Sequence, residues 1–226
     1  RSSLSNQNKK PFWNPDMKIL LTSALLVSVI AFSSFSAAIE KPEYKVVFVD
    51  GAVEYRLYQS FIVAETEIIG LESWKDASSE GFRRLFKYIT GDNNGEEKIA
   101  MTAPVQQSKL QAEDVRFNQA EPLTKKSGWK VGFMLPSSYS MVDAPMPEDE
   151  RIEIRTVPEK LVAAIRYSGR WTTRNFDKYE SRLMAALLEE NIEILGESET
   201  AFYNPPFVPP FMRRNEILVE VASPPS

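Results

Sequence analysis

The chain has 226 residues, 27 Lys+Arg against 31 Asp+Glu, 43% hydrophobic residues, and neither His nor Cys. That removes the usual ligands of structural zinc and iron–sulfur clusters and both the Ser-His-Asp and Cys-His triads. The formal charge of −4 and a pI near 5.2 argue against a nucleic-acid binder, which needs a basic face to displace counterions from phosphates. The length suits one globular domain plus extras.

Residues 1–16 are polar and show neither apolar periodicity nor basic amphipathicity, so they read as an upstream extension outside the fold. Met17-Lys18 then leads into Ile19–Phe32, fourteen residues without charge, Gly or Pro, closed by the small residues Ser36-Ala37-Ala38. A charged start, an apolar core and a small-residue end predict a secretory signal over 17–38, with translation starting at Met17 and cleavage after Ala38. The expected location is therefore exported, periplasmic or secreted. The alternative is a membrane anchor over 19–38, since about 20 apolar residues span a bilayer; the Ser-rich second half weighs against it. A lipoprotein anchor requires a cysteine and is excluded. An exported domain without disulfides must be held by its own core, which this length allows.

From residue 39 onward the chain reads as a single domain. Tyr44–Val49 alternates, Asp50-Gly51 makes a turn, and Val53–Tyr58 and Phe61–Ile69 follow as strands. A helix is predicted from Asp76 to Thr90, capped by Ser78 or Ser79, with Phe82, Leu85, Phe86 and Ile89 at i, i+3, i+4, i+7. Gly91-Asp92-Asn93-Asn94-Gly95 stops it, and Lys98–Val105 and Val115–Phe117 read as strands. The order then repeats: strands Lys130–Leu135, Ile152–Val157 and Leu161–Tyr167, and a helix Thr173–Ile194 with Phe176, Tyr179, Leu183, Leu187 and Leu188 on one side. A strand Glu216–Val221 closes the chain. Two such runs suggest an internal duplication, and separated helices among antiparallel-looking strands predict an α+β fold. Lys125-Lys126-Ser127-Gly128 reads as a loop within one core.

Nucleotide motifs fail on the spacing of the nine glycines, which contains no G-x-G and no P-loop. Glu189-Glu190 and Glu148-Asp149-Glu150 are paired carboxylates in charge-rich segments, where a solvated face outweighs acid/base chemistry. The second group lacks the alternating ligands and glycine of an EF-hand. The stripe Phe82, Leu85, Phe86, Ile89 is bordered by Arg83, Arg84 and Lys87. It packs into a sheet as an ordinary amphipathic helix does, or it forms an apolar slot with a basic rim, suited to a flat hydrophobic ligand that carries carboxylates. Pattern alone favours the core. Tyr203–Phe211 is aromatic and proline-rich, which bars it from a sheet interior. It docks a partner as a polyproline-type segment, or lies on the domain's own surface and orders the approach to the last strand. The strand that follows at once favours the second.

Several stretches taken together resemble the SOUL haem-binding protein family, also called the haem-binding protein 1/2 family. They are Val53–Tyr58; Phe82–Gly91 running into Lys98–Val105; Phe133-Met134-Leu135-Pro136; Ala144-Pro145-Met146-Pro147; Val157-Pro158; Tyr167-Ser168-Gly169; and Tyr203-Asn204-Pro205-Pro206 with Arg213-Arg214-Asn215-Glu216. The resemblance spans about residues 43–221. It implies a distorted antiparallel β-barrel flanked by two long helices, built from two related halves. It also implies a non-enzymatic protein that binds a tetrapyrrole, haem or porphyrin, non-covalently in a shallow apolar cleft against the first helix. A histidine-ligated mode is impossible without histidine, so only the cleft mode carries over. Phe82 and Phe86 fall at cleft-lining positions and Lys87 at a propionate partner. Leu85, and Leu183 and Leu187 of the second helix, complete the expected ligand-binding set; no catalytic or metal residues are expected. The competing readings are a module for another amphiphile or a protein partner, and an enzyme acting on a hydrophobic substrate through Ser, Tyr, Lys or carboxylates. Contact with a membrane is expected only if residues 19–38 are retained.

Overall fold

The computed structural model describes residues 39–110 and 128–225. The expected signal, its upstream extension, the strand Val115–Phe117 and residues 125–127 lie outside the described residues. Among the described residues, nine strands pair antiparallel throughout: β1 (Tyr44–Asp50), β2 (Val53–Tyr58), β3 (Phe61–Ile69), β4 (Val105–Lys109), β5 (Gly128–Met134), β6 (Ile152–Val157), β7 (Lys160–Tyr167), β8 (Glu199–Phe202) and β9 (Asn215–Glu220). They form one strongly curled sheet in the order β1-β2-β7-β9-β8-β4-β5-β3-β6, a half-barrel with two helices, α1 (Trp74–Thr90) and α2 (Thr173–Glu189).

The duplication is visible in that order. With β1 set aside, the sheet reads the same from both ends when β2, β3, α1, β4 and β5 are exchanged for β6, β7, α2, β8 and β9. The repeat boundary therefore falls between β5 and β6, not before Lys130 as the sequence pattern predicts. The reason is strand exchange: β2 pairs with β7 and β6 pairs with β3, so each half completes the other's sheet and chain order alone misplaces the seam.

Alternation along the strands divides the burial. Val53, Tyr55, Ala163, Ile165, Ile217 and Val219 point one way and pack with Phe176, Leu183 and Leu187 of α2. Ala64, Val131, Phe133 and Ile152 do the same for Leu85, Tyr88 and Ile89 of α1. The opposite face of the sheet buries Tyr58, Val162, Ala164, Ala201, Tyr203 and Leu218, together with an ion pair of Arg56 to Glu216 at 2.7 Å.

Three stretches depart most from expectation. Lys98–Pro104 is irregular, with a cis Ala103–Pro104 bond, and its polar groups are met by other segments: the Ala103 N–H donates to the Glu40 carbonyl and the Thr102 hydroxyl to the Met134 carbonyl. The second helix stops at Glu189, five residues short of Ile194, because Asn191 adopts a left-handed φ of 54° and Ile194 bridges to Val221 instead. β8 escapes the pattern because it is only four residues long.

Candidate functional site

Helix α1 is capped by Ser73, whose hydroxyl accepts from the Asp76 N–H, and not by Ser78 or Ser79. It ends at Gly91, whose φ of 132° suits glycine, with the Asp92 N–H donating back to the Lys87 carbonyl. Gly81 lies on the buried side, so close to β5 that a Cβ there would stand 2.5 Å from a Val131 methyl. That approach fixes how the helix is rolled. Leu85, Tyr88 and Ile89 go into the core, and the buried Tyr88 hydroxyl donates to the Pro145 carbonyl at 2.8 Å. Burial, with Tyr139 and Glu97 nearby, pushes its pKa up to about 12.

The same roll leaves Phe82 and Phe86 at the margin, 39% and 46% exposed. Their rings stack at 5.7 Å and 13°, and Phe82 meets the buried Phe133 edge-on at 5.3 Å. Phe133, Phe82 and Phe86 thus form a ladder of rings from core to solvent, ending in an aromatic surface that a flat apolar ligand can extend. The flank is less basic than expected. Arg84 is turned inward onto Thr66 and the Glu67 carbonyl, with its side chain 9% exposed, whereas Arg83 is exposed and pairs with Glu80. Lys87 is exposed beside Phe86 and makes no ion pair among the described residues.

Of the six expected ligand-binding residues, Phe82, Phe86 and Lys87 are exposed on α1, and the two rings are in contact with each other. Leu85 lies beneath them with no accessible surface. Leu183 and Leu187 are fully buried in the separate core under α2. These three leucines have no surface left for a ligand. An i, i+3, i+4 pattern marks the apolar stripe but not which edge of it overhangs the sheet.

The duplicated helix supplies a control. Both helices have 17 residues, follow a capping Ser or Thr, and bury their fourth and fifteenth residues, Ala77 and Tyr88 in α1, Phe176 and Leu187 in α2. At the positions of Phe82 and Phe86, α2 carries the exposed Ser181 and Ala185. The two helices are not superposable residue for residue, since Leu85 is the twelfth residue of α1 and Leu183 the eleventh of α2.

The stretches at 203–206 and 213–216 are structural. Glu216, fully buried, accepts from Arg56 through two nitrogens at 2.7 and 3.1 Å, from the Tyr203 hydroxyl at 2.9 Å and from Arg214. Burial alone would raise its carboxyl, but the Arg56 hydrogen bonds and the Arg56 and Arg214 charges hold it below the usual carboxylate range. The Asn204 side chain accepts from the Arg214 N–H, the Gly169 N–H donates to the Pro210 carbonyl, and Arg213 stacks on Trp171 at 4.3 Å while donating to the Val208 and Pro206 carbonyls. The proline-rich segment is thereby pinned to its own domain, yet Phe207 and Phe211 face solvent at 85% and 76% exposure. Sequence reasoning names Phe133 only within a strand and a resembling stretch, without a site role, and does not single out Trp171. Asp149, in the acidic loop, is held by Arg151 at 2.7 Å and its pKa falls to about 2.

The chain is thus a duplicated, curled antiparallel sheet of α+β class with an open ring stack on one of its two helices. The family described as SOUL heme-binding protein matches residues 39–220, and the chain belongs to it. It is 28% identical to heme-binding protein 1 of Xenopus laevis over 74% of this chain and 82% of that protein. It is 28% identical to heme-binding protein 2 of Homo sapiens over 74% and 77%, and 27% identical to heme-binding protein 2 of Mus musculus over 83% and 89%. In fold it is similar to the EcmrR C-terminal domain, with a TM-score of 0.51 at 9% identity over 80% of this chain and 98% of that one.

Proposed function

We propose that the protein is an exported, non-enzymatic tetrapyrrole binder that takes haem or a porphyrin on the Phe82–Phe86 face of α1, with Lys87 pairing a propionate. The observation that carries this reading is the asymmetry of the duplication: two helices, of which only the first exposes a stacked pair of its own rings. Membership in a family described by haem binding supplies the ligand class. The residues fit it. A planar macrocycle replaces water on Phe86 and continues the ring ladder, and a cation beside an apolar face orients a carboxylate. Iron, where present, supplies the tetrapyrrole's own redox and ligand chemistry, while the chain's part is to bind, orient and shield the ring.

With no imidazole or thiolate in the sequence, affinity rests on stacking and apolar burial. Metal-free protoporphyrin is therefore expected to bind within about tenfold of haem, a difference of about 1.4 kcal/mol. Parallel absorbance titrations with haemin and protoporphyrin test this. Haem binding that is far tighter, and is abolished by replacing one Tyr or Met, would replace the stacking account with axial ligation. Export rests on the pattern of residues 17–38, and mass spectrometry of the exported chain is expected to find Ile39 at its N-terminus. Recovery of an intact segment 19–38 in the membrane would favour the anchor.

A further inference from the structure

The proline-rich loop between β8 and β9 has a backbone closed upon the domain. Pro205, Pro206, Pro209 and Pro210 carry no N–H. The carbonyls of Pro205, Pro206, Val208, Pro209 and Pro210 all accept hydrogen bonds from within the domain: from the N–H groups of Val208, Met212, Arg213 and Gly169, and from the Arg213 guanidinium. The side chains this rigid loop holds outward are nevertheless apolar. Phe207, Phe211 and Met212 are exposed, Met212 at 64%, and neither ring packs on another among the described residues.

The same end of the domain is basic, although the chain carries a formal charge of −4. Phe211 and Met212 line one open groove with Val49 of β1 and Arg166 of β7. Arg170 follows Gly169, whose N–H ties the next turn to the loop, and Arg174 stands in the first turn of α2. All three arginines are exposed and none is in an ion pair among the described residues. Of the carboxylates nearby, Glu54 is engaged by Arg56, which leaves Asp50 at the β1–β2 turn and Asp177 within α2. A helix favours acids in its first turn and cations in its last. α1 follows that rule with Asp76 and Lys87, whereas α2 has no acid in its first turn and no base in its last. Arg174 therefore stands against the dipole of its own helix.

We propose that this end of the domain docks on an anionic lipid bilayer, with Phe207, Phe211 and Met212 entering the boundary between headgroups and acyl chains and Arg166, Arg170 and Arg174 meeting lipid phosphates. Apolar insertion and attraction to anionic headgroups are the two contributions that hold a protein at such an interface. A segment that leaves water for lipid must satisfy its own backbone, and this loop already does. A protein that adds a strand, or one that reads a free polyproline helix, would need this backbone extended and unpaired. The inference is independent of tetrapyrrole binding, since Phe82, Phe86 and Lys87 lie on α1.

The absence of cysteine allows a single label at a chosen site of the full chain. Phe211→Cys, and as its control Val142→Cys in the loop after β5, where Val142 is 92% exposed, each take an environment-sensitive fluorophore. On vesicles of equimolar phosphatidylglycerol and phosphatidylcholine, emission from position 211 is expected to shift to the blue and to be quenched by nitroxide-bearing lipid, while emission from position 142 stays as in water. Vesicles of phosphatidylcholine alone should give a far smaller shift. Each cation near an anionic surface contributes about 1 kcal/mol, or about fivefold, so Arg170→Gln with Arg174→Gln should raise the anionic lipid needed for half the shift about thirtyfold. The unfolding stability of that variant should hold or rise, because Arg174 opposes the dipole of α2, and this separates lost docking from a lost fold. Residues 19–38 are common to every variant. Attachment through them alone would leave position 211 in water, or give a shift indifferent to lipid charge and to the two arginines, and either result overturns the proposal. Vesicles of both kinds that leave position 211 in water assign the loop to a protein partner instead.

Discussion

The two halves of this molecule share topology, helix length and capping, but they use their helices differently. α2 presents Ser181 and Ala185 to solvent above a core of Phe176, Leu183 and Leu187, and Leu188, expected on its apolar side, is a single large apolar side chain left 78% exposed near its end. α1 presents Phe82 and Phe86 above Leu85, Tyr88 and Ile89, with the outer ring half in water. A duplicated fold thus carries its own reference: what both halves keep is needed to fold, and what one half adds calls for another explanation. Exposed apolar residues taken singly are ordinary, but a stacked pair absent from the other helix is the feature on which the proposed site rests.

The largest expected effect lies in what the halves have in common. Leu85→Ala and Leu183→Ala each remove a fully buried side chain, and each is expected to cost about 2–5 kcal/mol in denaturant unfolding. Porphyrin affinity of the folded fraction should be unchanged. Affinity lost through Leu183→Ala without loss of stability would move the site to α2.

The alkaline limb of stability should also be common to both halves. Tyr88 beneath α1 and Tyr167 beneath α2 each have a pKa pushed up to about 12, mainly by burial. A raised folded value favours the neutral phenol, so this stability is complete below the unfolded value near 10 and is lost as pH climbs towards 12. Thermal melts at pH 8 to 12 check it. The acid limb has the opposite sign: Glu216, held below the usual carboxylate range by Arg56 and Arg214, contributes fully above the unfolded carboxylate value near 4.3, and that contribution is lost as pH falls through its lower folded one.

A smaller effect is expected at Gly81, where the roll of α1 is set. Alanine there gains about 1 kcal/mol of helix propensity but forces the Val131 side chain aside, and overpacking costs about 1–3 kcal/mol. A net loss of stability, recovered by adding Val131→Ala, is expected in unfolding curves. The smallest effect is Lys87→Glu. It should weaken dicarboxylate porphyrins several-fold and leave their dimethyl esters nearly unchanged, because the ester removes the charge that Lys87 meets.

Much of this architecture is legible in the residues. Ile152–Val157 is bounded by the pattern itself, and Gly91 ends α1 because a stop there needs a left-handed residue. The halves were legible as a repeat, but their seam was not, since β2 and β6 pair across it and pairing between distant strands leaves no local trace. Nor does local sequence say that Asn191 stops α2 while Asn-Ile-Glu-Ile continues a plausible periodicity. The site was legible by half. Spacing put Phe82, Leu85 and Phe86 on one stripe, but only Gly81 against Val131 decides that Leu85 turns inward and the rings turn out. Leu183 and Leu187 carry the same signature as site residues and core residues alike. Spacing places Arg84 on the rim, whereas its acceptors, Thr66 and the Glu67 carbonyl, come from another element and leave no local trace in the sequence.

The central claim is that the rings of α1 are there for a ligand and not for the fold, and the most direct measurement gives α1 the residues of α2. Phe82→Ser with Phe86→Ala should weaken protoporphyrin binding by well over tenfold in a fluorescence titration. Because both rings are already half in water, unfolding stability should fall by less than the roughly 3–5 kcal/mol of a buried Phe→Ala. A doubly substituted protein that binds porphyrin as the parent does, or that loses its stability and binding together in proportion, would contradict the account and return both rings to the core.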